Sequence, residues 1–448
     1  MIDRVKEFNE GLPAYGGKAK ITGKAGRLAE KESKPKDLPM QTSGFCDLHD
    51  ENGKLLMTAE QRQKKADEVI RDISEELKYC YDKIIDRLKY YCDLQERNYS
   101  LIALWIMGTY AHDEFYTYPY LFLNAPKGAG KSRTLNLITT LASNGKMIAS
   151  LTEAGLFRNA KGRTFGLDEF ENIDSKEKNT LRELLNSAYK RGLGIEREKK
   201  KKTLDGENWI TETFDVYTAI VIANIEGMND VLKDRCINLI LEKSTDRVIT
   251  KKIERFDDDE IIIEIKKILE SASHSFKNLV AGKNWAKDWN DFIDGKLRKT
   301  KTNEKISLFF KKVDDLNING RNLELILPLC YVAYLIDEDS LEKILTISQE
   351  IIKEKENEDY YENKDSILLR FLSGKLGGDL EYKSFVSTKE VARQFRAYLG
   401  DENPSTSPEW VGKALSRLNL ITDKKREAGG IRVLIDLEKA RQKAPNLH

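Results

Sequence analysis

The chain has 448 residues, enough for two to four domains with separate cores. Its 75 basic residues balance 74 acidic ones for a net charge of +1, so it is no polycation, and any nucleic-acid surface must come from local segregation of charge. No apolar run approaches a membrane span and no secretory start is present; the five cysteines are scattered and odd in number, which argues against a disulfide framework and for a reducing, cytoplasmic setting.

Residues 1–57 hold few apolar side chains and much Gly, Lys, Pro and Ser, the composition of a mobile basic arm ending in a small ordered piece around "GFCDLHDENGKLL". Cys46 and His49, taken with Cys80 and Cys92, are the candidate metal cluster, although their spacing is unlike common zinc modules. Helical periodicity starts at Thr58, a plausible N-cap, and continues to about Leu94. A second helix, "YSLIALWIMGTYAHDEF", is apolar nearly all round and therefore buried. Residues 58–116 thus form a helical N-terminal segment.

From 119 to 243 short apolar runs alternate with helical ones, the pattern of a parallel sheet with crossover helices in an α/β fold. Five candidate strands stand out: "YPYLFLN", "KMIASL", "RTFGLDE", "VYTAIVIAN" and "CINLILE". Between the first strand and the next helix lies a glycine-rich turn made of Ala125, Pro126, Lys127, Gly128, Ala129 and Gly130, followed by Lys131, Ser132 and Arg133. Backbone N–H groups of such a turn converge on an anion, and the helix dipole adds to the attraction. A phosphate cradle follows, with Lys131 on the β- and γ-phosphates and Ser132 on Mg²⁺, which makes ATP the expected ligand. Ala125 stands where the first glycine of the phosphate-loop pattern is usual.

"TFGLDEF" ends a strand with Asp168 and Glu169. A carboxylate at that edge suits Mg²⁺, for Asp168, and polarisation of the attacking water, for Glu169. Asn224, at the end of "YTAIVIAN", can hold that water in line. Between them "GLGIEREKKKKTLDGENWITETF" reads as a hairpin whose lysines, Lys199, Lys200, Lys201 and Lys202, either grip a phosphate backbone or form a solvated turn that blocks edge pairing. Residues 256–345 turn all-helical. The final stretch, 346–448, carries three helices, a strand, a Gly-Gly turn and a strand, which spell a winged helix. Lys413 and Arg417 fall on its recognition helix, and Lys424, Lys425 and Arg426 in its wing.

"HDEFYTYPYLFLNAPKGAGKSRTLNLI", "LTEAGLFR", "LDEFENI", "LRELLNSAYKRG" and "LKDRCINLIL" together resemble the AAA+-type ATPase domain of archaeal and bacterial mobile-element proteins, distantly similar to the minichromosome-maintenance helicases. The resemblance is close over 100–245 and looser over 315–448. It implies an AAA+ core at 117–255, a helical lid at 256–345 and a hexameric ring acting on single-stranded or forked DNA in replication of a mobile element. It also implies that Arg235, in "KDRCINLIL", is the arginine finger and Arg321, in "NGRNLELIL", the second sensor. Asp234 replaces the usual serine before the finger, and Arg191 is a rival for that role. A nucleotide switch that recruits partners without unwinding is the alternative to a motor, and a protein-remodelling motor is a third reading.

Overall fold

The computed structural model describes residues 48–49, 55–148, 152–168, 179–203, 206–224, 230–282, 285–297, 301–362, 364–374, 385–400, 406–427 and 430–443. Most of the expected arm, with Cys46, and Glu169 lie outside the described residues. The chain divides into two compact units, Met1–Ile347 and Ser348–His448.

In the first unit a short antiparallel pair, β1 (Leu48–His49) and β2 (Leu55–Met57), precedes α1 (Ala59–Tyr91). Thr58 does cap this helix: its hydroxyl accepts from the Gln61 amide while the Gln61 side chain accepts from the Thr58 amide. The next helix, α2 (Glu96–Gly108), is buried from Asn98 onward. Trp105 donates to the Pro119 carbonyl at 2.7 Å and so ties α2 to the chain entering the sheet.

Five strands form the sheet: β3 (Tyr120–Asn124), β4 (Gly145–Ile148), β5 (Thr164–Leu167), β8 (Ala219–Asn224) and β9 (Cys236–Ile240). They run in the order β4-β5-β8-β3-β9 and all neighbours are parallel. The apolar runs were legible because strands covered on both faces need no alternation, and β3 and β5 are buried along almost their whole length. Crossovers are α3 (Lys131–Leu141), α4 (Glu153–Asn159) and α5 (Asn179–Ala188), with the short α6 (Asp230–Lys233) leading into β9. Gly166 lets β5 lie close against α3, since a Cβ there would stand 2.1 Å from the Thr139 hydroxyl.

Between α5 and β8 the chain forms an antiparallel ribbon of β6 (Gly194–Thr203) and β7 (Gly206–Asp215), which among the described residues pair with each other alone. After β9 come α7 (Arg247–Lys251), α8 (Glu260–Gly282), α9 (Trp285–Ile293), α10 (Lys301–Asp314), α11 (Gly320–Ile336) and α12 (Glu338–Glu362). The helices α8 and α11 pack on α1, and α11 also packs on α2. The N-terminal helices and those after the sheet therefore share one apolar layer. Among the described residues no helix is long and apolar enough to cross a membrane.

The second unit contains α13 (Lys364–Ser373), α14 (Thr388–Leu399) and α15 (Pro408–Arg417), then β11 (Ile421–Glu427), β12 (Gly430–Ile435) and α16 (Leu437–Lys443). A two-residue strand, β10 (Val386–Ser387), completes a three-stranded antiparallel sheet in the order β10-β12-β11. Leu369, Phe371, Phe395, Val411, Leu415 and Val433 form its core. Ser387 and Ser407 cap α14 and α15 by accepting backbone N–H groups.

Candidate functional site

At the carboxyl edge of the parallel sheet, β3 passes into a turn and then into α3. Gly128 and Gly130 hold the turn with φ of 83° and 77°, the left-handed region that favours glycine. Ala125 has no positive φ, so its methyl group costs nothing there and it is buried at 2% exposure. The departure from the usual glycine is therefore accommodated by the backbone. Pro126 accepts from the Ala129 amide at 3.3 Å, while Lys127 and Gly128 lie exposed at the crest.

Lys131 opens α3 and is only 9% exposed. Among the described residues no carboxylate pairs with it. A buried ammonium without a counter-ion is costly, and an anion at the turn offsets that cost. Ser132, one residue on, is exposed in the first turn. Thr134 anchors that turn by donating to the Gly130 carbonyl from both its amide (3.0 Å) and its hydroxyl (3.1 Å).

Parallel register sets the neighbours of this turn. Asn124 is level with Asn224 on the adjacent β8. Asp168 follows Leu167, which is level with Ile222. Asp168 therefore stands two strands from β3, about 10 Å away at the usual inter-strand spacing. One amide-bearing position and one carboxylate position thus share the carboxyl edge with Lys131 and Ser132. The side chain of Asn224 and all of Glu169 lie outside the described residues.

Arg133 is used differently from its neighbours in the turn. Its guanidinium donates to the carbonyls of Ile249 (2.9 Å) and Lys252 (2.7 Å) and meets Glu254 at 3.3 Å. It clasps the segment after β9 against α3, so it is a positioning residue here. No sequence pattern announces this, because its main acceptors are backbone carbonyls. Lys252 continues the clasp onto α1, donating to the Tyr90 carbonyl at 2.6 Å with its ammonium 3.6 Å from the Tyr90 ring centre.

The two arginines expected to sense nucleotide lie at the other edge of the sheet. Arg235 immediately precedes Cys236, which is level with Tyr120 at the start of β3. Arg235, one residue before that level, is therefore five strand rises from the level of Asn124, about 16 Å. Arg235 donates to the carbonyls of Asn186 (3.2 Å) and Val231. Arg321, at the start of α11, pairs with Asp234 at 3.4 Å and with Glu324, and its guanidinium covers the Tyr189 ring at 5.0 Å. Asp234, the residue that departs from the expected serine, is thus one of two acidic partners of Arg321, with Glu324. Arg191 belongs to the same edge, its amide donating to the Tyr116 carbonyl at 2.9 Å.

Similarity to solved structures is remote. The chain matches the SCCmec type IV Cch active helicase at 16% identity and a TM-score of 0.36, over 76% of this chain and 67% of that one. It matches a JCV helicase at 15% identity and TM-score 0.23, over 62% and 78% of the two chains. Drosophila ORC bound to DNA matches at 11% identity and TM-score 0.20, over 93% and 96%. No protein-family model and no curated protein matches the chain. Likenesses this distant leave the site to be read from its own geometry.

The basic positions elsewhere divide into engaged and exposed ones. Lys199, Lys200, Lys201 and Lys202 occupy successive positions of β6, opposite Ile210, Trp209, Asn208 and Glu207. In the second unit Lys413, Lys424, Lys425 and Arg426 are exposed. Lys425 lies 4.0 Å from the Phe385 ring centre. Arg417 instead makes a two-pronged pair with Asp365 of α13, at 2.8 and 3.0 Å, which fastens α15 to α13. Burial pushes the Cys80 thiol up to about 12 and the Cys92 thiol up to about 11, so neither is a thiolate at neutral pH. Among the described residues no group of three or more metal-binding side chains comes together.

Proposed function

We propose that the chain is an AAA+ ATPase that forms a ring, a hexamer in the resembled family, and moves along or unwinds DNA, with replication of a mobile element as its setting. The observation that carries this reading is the buried Lys131 at the head of α3, with no carboxylate paired to it among the described residues, behind a turn held by two left-handed glycines on a central parallel strand. In this reading ATP lies on the turn with Mg²⁺ held by Ser132 and Asp168. Glu169 polarises the attacking water and Asn224 aligns it.

Arg235 then serves the site of a neighbouring copy, because its own turn is a strand length away. Arg321 works from the same edge as the second sensor, and Arg191 remains the rival finger. Residues 117–255 form the ATPase core and 256–345 its lid. Residues 346–448 form a winged-helix domain, and Lys413, Lys424, Lys425 and Arg426 are its DNA-facing cations. Arg417, tied to Asp365, contributes to that unit through the helix packing it secures.

The ribbon supplies the grip on DNA. Changing Lys199, Lys200, Lys201 and Lys202 together to alanine is expected to weaken single-strand binding and flatten its salt dependence. Each lost phosphate contact removes about 0.7 from the log–log slope. Filter binding across a salt series measures this, with DNA-stimulated ATP hydrolysis read in parallel. An unchanged affinity and slope would assign the ribbon lysines to a solvated turn and move the search for the DNA contact to the second unit.

A further inference from the structure

Beneath α4 the sheet carries a half-open cavity of about 240 Å³ that the proposed nucleotide and DNA contacts leave unused. Side chains alternate along a strand, so Met147 turns toward Gly166 and α3, while Lys146, Ile148 and Phe165 turn toward α4. Phe165 is fully buried and, with Ile148, forms the floor. Lys146 is level with Phe165, and Arg163 precedes Phe165 by two residues on the same face. Overhead, Thr152, Gly155 and Asn159 recur at the spacing of one helical face, and Gly155 projects no side chain into the space. Thr152 accepts from the Gly155 amide at 3.0 Å and Asn159 donates to the Gly155 carbonyl at 2.9 Å, so the roof is held from both ends.

We propose that this cavity binds a small organic carboxylate, its aryl or branched alkyl body lying on Ile148 and Phe165 and its charge meeting Arg163 and Lys146. Arg163 is half-buried and Lys146 exposed, and among the described residues neither is paired with a carboxylate. The acid of α4, Glu153, is already paired with Arg197 of the ribbon at 3.4 Å. A half-buried guanidinium without an acid is costly, and a bound anion relieves that cost. Its planar fork matches both oxygens of a carboxylate. An apolar floor with a few polar groups at the rim is the usual make-up of a small-molecule site. A bare inorganic anion would leave Ile148 and Phe165 uncovered, so the ligand carries an apolar body. None of these residues belongs to the Lys131 turn, and the cavity stands whether or not that turn holds ATP.

The test uses the full chain and para-fluorophenylacetate as the probe, with binding followed by fluorine NMR. A dissociation constant on the order of 1 mM is expected for a ligand of this size. Arg163→Gln is expected to weaken binding about tenfold, and Arg163→Lys less, since a charge remains. Gly155→Leu, which puts a side chain into the cavity and leaves both cations in place, is expected to abolish it. The methyl ester of the probe, with the same ring and no charge, binds at least about tenfold more weakly. Circular dichroism melting checks the fold of each variant; if Gly155→Leu does not fold, Arg163→Gln carries the test.

Absence of binding by the original protein overturns the proposal, as does undiminished binding by folded Gly155→Leu or Arg163→Gln. Acetate that displaces the probe at equal concentration would reduce the site to its cations and also overturn it. So would displacement by ATP with Mg²⁺ or by oligo(dT), which would put the probe at the nucleotide turn or on the DNA path. Binding that survives saturating ATP, and is equal in Lys131→Ala, supports the cavity. Its failure would leave the ATPase reading untouched.

Discussion

Lys131→Ala is expected to abolish ATP turnover, by at least about a hundredfold. The ammonium is nearly buried at the head of α3, so alanine removes the charge that would stand on the β- and γ-phosphates. Removing this lysine also relieves the cost of burying a charge that has no carboxylate partner among the described residues. The variant is therefore expected to fold and to melt at or above the original temperature while losing activity. A coupled phosphate-release assay beside a thermal melt reads both. A variant that melts much lower, or that turns over ATP at the original rate, contradicts the assignment of Lys131.

Arg235→Ala is expected to lower hydrolysis about a thousandfold or more, the scale on which an arginine completes a phosphoryl-transfer site. With about 16 Å between the Arg235 level and the carboxyl edge of its own β3, a guanidinium that acts on nucleotide would act at the site of another copy. Mixing Arg235→Ala with Lys131→Ala protein should then restore part of the activity, because some interfaces pair an intact turn with an intact arginine. In the single chain Arg235 donates to the carbonyls of Asn186 and Val231. No recovery in mixtures that demonstrably co-assemble would place Arg235 in a purely structural role.

Much of the carboxyl edge was legible because it depends on local chemistry. Apolar runs ending in Asn124, Leu167 and Asn224 became parallel strands, and positive φ fell on Gly128 and Gly130, where the turn was expected. The cap at Thr58 likewise needs only residues within one helical turn. The opposite edge was harder to read. Asp234 and Arg321 meet across a long stretch of chain, and nothing near either residue signals the other.

Arg133 illustrates the same limit. Its position beside Lys131 suggested nucleotide, but its acceptors are the carbonyls of Ile249 and Lys252, which carry no residue-specific signature. Arg417 looked like a free cation on a recognition helix until Asp365 came into range through the packing of α13 on α15. Short elements also escaped: β10 has two residues, and α16 continues a segment that reads as the end of a strand. In each case the deciding contact was tertiary, and periodicity does not encode it.

The central claim, that ATP turnover at the Lys131 turn drives movement on DNA, is tested most directly by strand displacement. A forked duplex with one labelled strand is incubated with the protein, with and without ATP and Mg²⁺. Release of the labelled strand is expected only with ATP, and Lys131→Ala is expected to release none at equal DNA occupancy. ATP hydrolysis stimulated by DNA with no strand displaced on forked or single-strand-tailed substrates would contradict the motor and leave a nucleotide switch.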